Sequence, residues 1–230
     1  MMPGKSRRAG DDRRVTNPRG EMRMRRTAII GGAMALGLCT AGGALAQDCP
    51  DGIEAAMAGV TIVYDDGAVT HYQLLGDGTV IEETEADEFG PGFVVRALYG
   101  IFVVDEHDLT DDGRPDESTR SIQDFGLDMS ALPAPAPGLR WSGETTVKYA
   151  GEPAFSRQVT VAADRMTSVD YGGCVYDSLP VVLRHRDDVE DLLLGFDWLP
   201  SLEIAVFRSF ADFGQPADRY EPLTITARGN

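Results

Sequence analysis

The residues Asp108-Leu109-Thr110-Asp111-Asp112-Gly113-Arg114-Pro115-Asp116 form the sharpest local pattern in the chain that could do chemistry. A hard cation such as calcium takes about six to eight oxygens, and alternate side chains around a glycine turn converge on one point. In that arrangement Asp108, Thr110, Asp112 and Asp116 supply side-chain oxygens and Arg114 supplies its backbone carbonyl. The same residues also read as a solvated acidic loop, because the chain is rich in acids throughout. Both readings stay open at this stage.

Catalytic patterns are sparse. His71, His107 and His185 have neither His-Glu-x-x-His nor any other paired spacing, so a zinc protease is unsupported. His107 reads as a surface residue and His185 as an edge residue of a strand. Gly-x-Ser-x-Gly and Gly-x-x-x-x-Gly-Lys do not occur. The adjacent acids Glu82-Glu83 and Asp187-Asp188 point to opposite faces of any strand that carries them. General acid/base work needs two carboxylates converging on one substrate, so a carboxylate-based hydrolase is the one catalytic reading left. The sequence leans away from an enzyme, and no cofactor is expected beyond the candidate calcium.

Charge divides the chain. Of 21 basic and 37 acidic side chains, residues 1–46 hold 9 and 3, leaving 12 and 34 for residues 47–230. The basic part reads as an export leader. Arg23, Arg25 and Arg26 flank an uncharged stretch from Thr27 to Gln47 that ends in Ala44-Leu45-Ala46, which suits cleavage between Ala46 and Gln47. The expected location is the periplasm. The alternative is an N-terminal membrane anchor, since about 20 uncharged residues can span a bilayer. Five glycines in the stretch (Gly31, Gly32, Gly37, Gly42 and Gly43) favour cleavage. Cys39 would leave with the leader, so Cys49 and Cys174 form an expected disulfide suited to an oxidising compartment. A mature net charge of −22 argues against nucleic acid and anionic membrane surfaces as partners. An apolar ligand or another exported protein remains.

The elements that must position these residues are strands. Val60-Thr61-Ile62-Val63-Tyr64 alternates and meets Asp65-Asp66-Gly67, a turn signal. Residues 68–75 and 79–84 continue a three-strand meander, with 93–98 and 101–105 as further strands and 52–58 as a short helix. The prolines of Leu132-Pro133-Ala134-Pro135-Ala136-Pro137-Gly138 cannot sit in a central strand, so 132–138 reads as a stiff connector. It separates a lobe over 47–131 from a second over 139–230, the two forming one compact domain. Strands are expected at 141–149, 154–162, 166–171, 174–186, 192–198, 202–210 and 220–226.

Two strands are informative about faces. Leu179, Val181, Leu183 and His185 share one face of 179–186, opposite Val182, Arg184 and Arg186. In 201–210, Leu202, Ile204 and Val206 face one way, yet Ala205 and Phe207 are apolar on the other. A strand apolar on both faces must be covered on both, by another sheet, a helix or a ligand. Leu192, Phe196, Trp198, Ile204, Val206 and Phe207 are therefore the candidate walls of an apolar pocket, where burial contributes about 25 cal/mol per Å².

Several segments carry a resemblance. A Tyr-x-x-Gly meander and Pro137-Gly138-Leu139-Arg140-Trp141 precede Val159-Thr160-Val161 and Val169-Asp170-Tyr171-Gly172-Gly173-Cys174. Trp198-Leu199-Pro200-Ser201-Leu202-Glu203-Ile204-Ala205-Val206 follows. This order, mainly over 138–226, resembles bacterial periplasmic β-sheet proteins of the lipoprotein-carrier type and related uncharacterised families. The resemblance implies a curved antiparallel sheet around an apolar cavity, a half-open barrel with few short helices, and carriage of acylated cargo. The carriers' helical plug is not evident here. The 108–116 loop in turn resembles the Asp-x-Asp-x-Asp-Gly loops of EF-hand-like and secreted repeat proteins. It departs from them in having Thr110 for a carboxylate and Thr119 at the twelfth position. The expectation is an exported, mainly β, non-enzymatic binding or carrier-like protein, with a calcium-dependent interaction module and a carboxylate hydrolase as alternatives.

Overall fold

A computed structural model describes residues 48–88 and 90–228. The proposed leader and the cleavage position at Ala46 and Gln47 lie outside the described residues. A short helix, α1 (Gly52–Ala58), capped by the Asp51 carboxylate on the Gly52 N–H, leads into the strands. The first meander is β1 (Val60–Tyr64), β2 (Val69–Leu74), β3 (Thr79–Thr84), β4 (Phe93–Leu98) and β5 (Phe102–Asp108). A short β6 (Ser121–Asp124) and a 3-10 turn at Met129–Ala131 precede the connector. The second half holds β7 (Arg140–Tyr149), β8 (Phe155–Ala163), β9 (Thr167–Tyr171), β10 (Cys174–Arg186), β11 (Asp191–Leu199), β12 (Ile204–Asp212), β13 (Asp218–Arg219) and β14 (Pro222–Ala227).

All the pairings are antiparallel and belong to one large curved sheet that does not close. Its order is β13-β12-β11-β10-β8-β7-β6-β5-β4-β3-β2-β1-β14, with β9 paired to the first half of β10. The two expected lobes thus share one sheet, joined where β6 pairs with β7 and where β14 pairs with β1. The connector is buried at Leu132 and Pro135, and Leu132 belongs to the same apolar cluster as Phe102 and Phe125. β6 covers only Thr146–Tyr149 of β7, and Phe125, Met129 and Leu132 of the segment after it join the apolar cluster that includes Trp141. Phe102 meets Phe125 and Trp141 edge-on at 5.8 and 5.1 Å.

Directly paired residues present their side chains to the same face, so the register traces the inner face of the sheet. That face carries two apolar clusters, and β12 lies between them. Ile204 and Val206 pack with Val60, Ile62 and Tyr64 of β1, Tyr72 of β2, Val80 of β3 and Ile225 of β14. Ala205, one residue over, packs with Leu98, Phe102, Val159, Val161, Leu179, Leu183 and Phe196. The sheet therefore rolls far enough for its own strands to cover both sides of β12. This explains the strand that is apolar on both faces without invoking a helix. Ile204 is fully buried, so Ile204→Val should cost about 1 kcal/mol, read as a lower urea midpoint at unchanged slope.

β10 changes partners along its length, and its burial changes phase with them. Cys174, Tyr176 and Ser178 are buried where it pairs with β9. Leu179, Val181, Leu183 and His185 are buried where it pairs with β8 and β11. The face expected from the sequence for 179–186 is the observed one. Cys49 and Cys174 are bonded, with their Cα atoms 5.5 Å apart, which ties the start of the described chain to β10.

Candidate functional site

The strand ends at Thr84, Phe93, Asp108, Ser121, Tyr149, Phe155, Arg186, Asp191 and Asp212 gather at one end of the sheet. At the other end the inner face is packed: Ala97, Val161, Ala163, Leu179 and Val181 are buried. Toward the first end its apolar side chains emerge. Val95, Tyr149, Phe155, Leu192, Leu194 and Phe210 are half-buried, and Phe93 is 36% exposed. Apolar side chains are thus packed at one end of the roll and partly exposed at the other, its open end, where Ser121, Gln123, Arg157 and His185 are nonetheless buried.

A row of residues crosses the inner face near the open end. Tyr72 on β2 pairs with Glu82 on β3, Glu82 with Val95 on β4, and Val95 with Glu106 on β5. Glu106 pairs with Ser121 on β6, and Ser121 with Tyr149 on β7. Val80, deep in the first cluster, is two residues before Glu82 on the same face, which is why Glu82 rather than Glu83 turns inward. Burial pushes the Glu82 carboxyl up to about 7, against the opposing pull of its hydrogen bond with Tyr72. The Tyr72 hydroxyl lies 3.0 Å from that of Tyr64, and burial raises both phenols well above their usual range. In the same row Ser121 is fully buried and its Oγ has no hydrogen-bond partner among the described residues. Gln123, its neighbour on that face, is likewise buried with an unsatisfied Oε1.

Arginine pairs brace the surroundings. Arg157, on the inner face of β8 and only 4% exposed, donates to Asp187 at 2.9 Å and Glu190 at 3.1 Å. Asp187 also accepts from the backbone N–H groups of Val189 and Glu190. Burial raises the Asp187 pKa, but these backbone bonds and Arg157 outweigh it and hold the carboxyl below its usual range. They fix the β10–β11 hairpin tip, on which Val189 is 91% exposed. Nearer the packed cluster, Tyr171 and Arg208 both donate to Asp197, at 2.8 and 3.1 Å.

The residues named from the sequence are distributed as follows. Leu192, Phe196, Trp198 and Phe207 lie on the inner face, Phe196 buried and the others half-buried. Ile204 and Val206 lie on the opposite face of β12, inside the first cluster, so the six do not line a single wall. In the acidic loop Asp112 accepts from Thr110 Oγ1 at 2.5 Å and from Arg114 Nη2 at 2.7 Å. The Arg114 carbonyl accepts from the Thr110 backbone N–H and hydroxyl, and Asp116 accepts from Ser118. Asp108 ends β5, and its carbonyl accepts from the Asp116 N–H. Among the described residues no group of three or more His, Cys, Asp or Glu side chains is arranged to hold a metal ion. His107, read from the sequence as a surface residue, is half-buried with Nδ1 3.6 Å from Asp105. A separate depression of about 580 Å³ beside the disulfide is lined by Pro50, Asp51, Val175, Tyr176, Pro200 and Ser201. None of the six wall candidates touches it.

No family model matches the chain, and neither a curated protein nor a solved structure matches it. Its class is given by its own fold and face chemistry. It is an open, rolled antiparallel sheet with one packed end and one apolar open end, crossed by an inward polar row.

Proposed function

We propose that this is an exported, non-enzymatic carrier-like protein that holds an apolar molecule in the open end of its sheet. The supporting observation is the change in exposure along the inner face, from buried aliphatic residues to half-buried Val95, Phe155, Leu192, Leu194 and Phe210. Apolar groups left partly in water on a concave face gain about 25 cal/mol for each Å² that a ligand covers. The Cys49–Cys174 bond suits the oxidising compartment that export implies.

The experiment is a native mass spectrum of the full chain, expressed with its own leader into a periplasm and purified without added lipid or metal. Added mass of several hundred daltons, lost on organic extraction, is the expected result. Bare polypeptide mass, short of two hydrogens for the disulfide, would count against the carrier. A calcium-sized increment, abolished by Asp112→Ala, would instead move the function to the 108–116 loop.

One observation favours a second reading, a carboxylate hydrolase. Glu82 and Glu106 project from one face two strands apart, and Glu82 holds its proton up to about pH 7, as a general acid must. Turnover of a glycoside or ester that Glu82→Gln abolishes would establish it.

A further inference from the structure

The outer face of the first meander carries a second set of groups aligned for chemistry. Val60, Ile62, Thr70 and Tyr72 are buried, so Thr61 on β1 and His71 on β2 point outward, and the two are directly paired across the strands. Thr61 Oγ1 lies 2.9 Å from His71 Nδ1, and His71 Nε2 lies 2.8 Å from Glu85 Oε1. Glu85 follows β3, where its N–H bonds the Val69 carbonyl and extends the β2–β3 ladder, so it lies diagonal to His71 on the same face. A hydroxyl, an imidazole and a carboxylate thus stand in one hydrogen-bonded line.

The line has a direction. A carboxylate only accepts, so His71 donates from Nε2. In the neutral ring Nδ1 is then the acceptor, and the hydrogen it accepts is that of the Thr61 hydroxyl. Nucleophile, base and orienting carboxylate are the parts of an activated hydroxyl. We infer that Thr61 is such a hydroxyl, with His71 as its general base and Glu85 as the positioning residue, and that it accepts the acyl group of an activated ester. The row faces outward, so this does not rest on the carrier reading.

A cation reaches the same row. The Arg228 N–H bonds the Gly59 carbonyl, and its side chain crosses β1 over that glycine: a Cβ at Gly59 would lie 3.2 Å from the Arg228 Cβ and Cδ. Beyond it, Arg228 Nη2 lies 3.8 Å from Glu83, the residue paired with His71. Arginine carries five N–H donors, and one carboxylate at that distance leaves some of them to meet an oxyanion forming beside His71.

In the step, the Thr61 oxygen attacks the acyl carbon as its proton passes to His71 Nδ1. The tetrahedral oxyanion is met by Arg228, the bond to the leaving oxygen breaks, and that oxygen takes the proton from His71. Thr61 ends as an ester and the donor as a free alcohol or phenol, with no change of oxidation state.

The test is brief exposure of the full-length, disulfide-bonded protein to p-nitrophenyl acetate, followed by an acid quench and peptide mass mapping. One acetyl group on the peptide that holds Thr61 is the expected result. Lys148, exposed on β7, reacts with the same reagent without help from His71 and serves as the internal standard in every variant. Relative to Lys148, His71→Gln should slow the labelling of Thr61 about a hundredfold and Glu85→Gln about tenfold. Thr61→Ser should keep the label, and Thr61→Val, which preserves the branched shape, should lose it. An unlabelled Thr61 in the wild-type chain, or a label that persists in His71→Gln at the same ratio to Lys148, would overturn the inference. Should His71→Gln fail to fold, Glu85→Gln decides, because its side chain is 55% exposed and an unchanged ratio there overturns the inference equally.

Discussion

Glu82→Gln should make the protein more stable than wild type at pH 8 and leave it nearly unchanged at pH 4. A glutamate ordinarily titrates near 4.5, and burial holds Glu82 at about 7 in the folded chain. Below pH 4.5 the group is protonated in both states and contributes no difference. Between pH 4.5 and 7 the unfolded chain releases the proton while the folded chain keeps it, so folding stability falls as pH rises through this window. Above pH 7 the folded chain carries a desolvated carboxylate and the loss is complete. At about 1.4 kcal/mol per pH unit it amounts to about 3 kcal/mol. Glutamine has the same shape, stays neutral and can still bond the Tyr72 hydroxyl, so the variant lacks the slope. Urea unfolding of both proteins from pH 4 to 8 measures it as a difference. Carboxylates such as Asp105 and Asp187, held low by arginine and backbone partners, act in the opposite sense at acid pH, and the subtraction removes them. Parallel curves for the two proteins would show that Glu82 is solvated as in an unfolded chain. Such curves would also remove its claim as a general acid in the hydrolase reading.

The same residue marks where sequence reasoning stopped short. Strands with apolar alternation and Asp/Gly turns, such as β1 to β3 and β10, are legible because one periodicity fixes both element and face. Adjacent Glu82 and Glu83 on β3 must point to opposite sides, but the pair alone does not say which faces in. Val80 does, since it shares parity with Glu82 and is buried. β6 inverts the usual pattern: Ser121 and Gln123 are buried while Ile122 is 46% exposed. Four residues of reversed polarity carry no strand signal, and they hold the unsatisfied oxygens of the candidate site. β13, with two residues, is too short for any periodicity to register. The separation of Ile204 and Val206 from Phe196 and Phe207 was only half legible. Alternation along β12 assigns the two faces, but only the roll of the sheet shows that each is covered by different strands. Polar residues that point inward obey the site's chemistry in place of the folding pattern, so pattern reading passes over them.

Removing the disulfide should have the largest effect of any change considered. The bond closes a loop with a sequence separation of 125, for which the chain-entropy relation gives about 5 kcal/mol. A Cys49→Ala, Cys174→Ala double variant, which leaves no unpaired thiol in this pair, should lose roughly 10–20 °C in Tm. The kinetics distinguish two sources of that loss. If the bond acts on the unfolded ensemble, folding slows and the unfolding rate stays near wild type. If it acts by holding the N-terminal segment in place, unfolding accelerates, because contacts of the native state are weakened. Those contacts are identifiable: the Tyr176 hydroxyl donates to the Pro50 carbonyl at 2.8 Å, and Ala56 of α1 packs in the first cluster. Tyr176→Phe in the disulfide-bonded protein removes the hydrogen bond alone and should cost about 1 kcal/mol. An unfolding rate unchanged in the double variant and raised in Tyr176→Phe would assign the disulfide to the unfolded chain and the hydrogen bond to the native docking of residues 48–58. A double variant within about 1 kcal/mol of wild type would mean that the unfolded chain already keeps residues 49 and 174 close together.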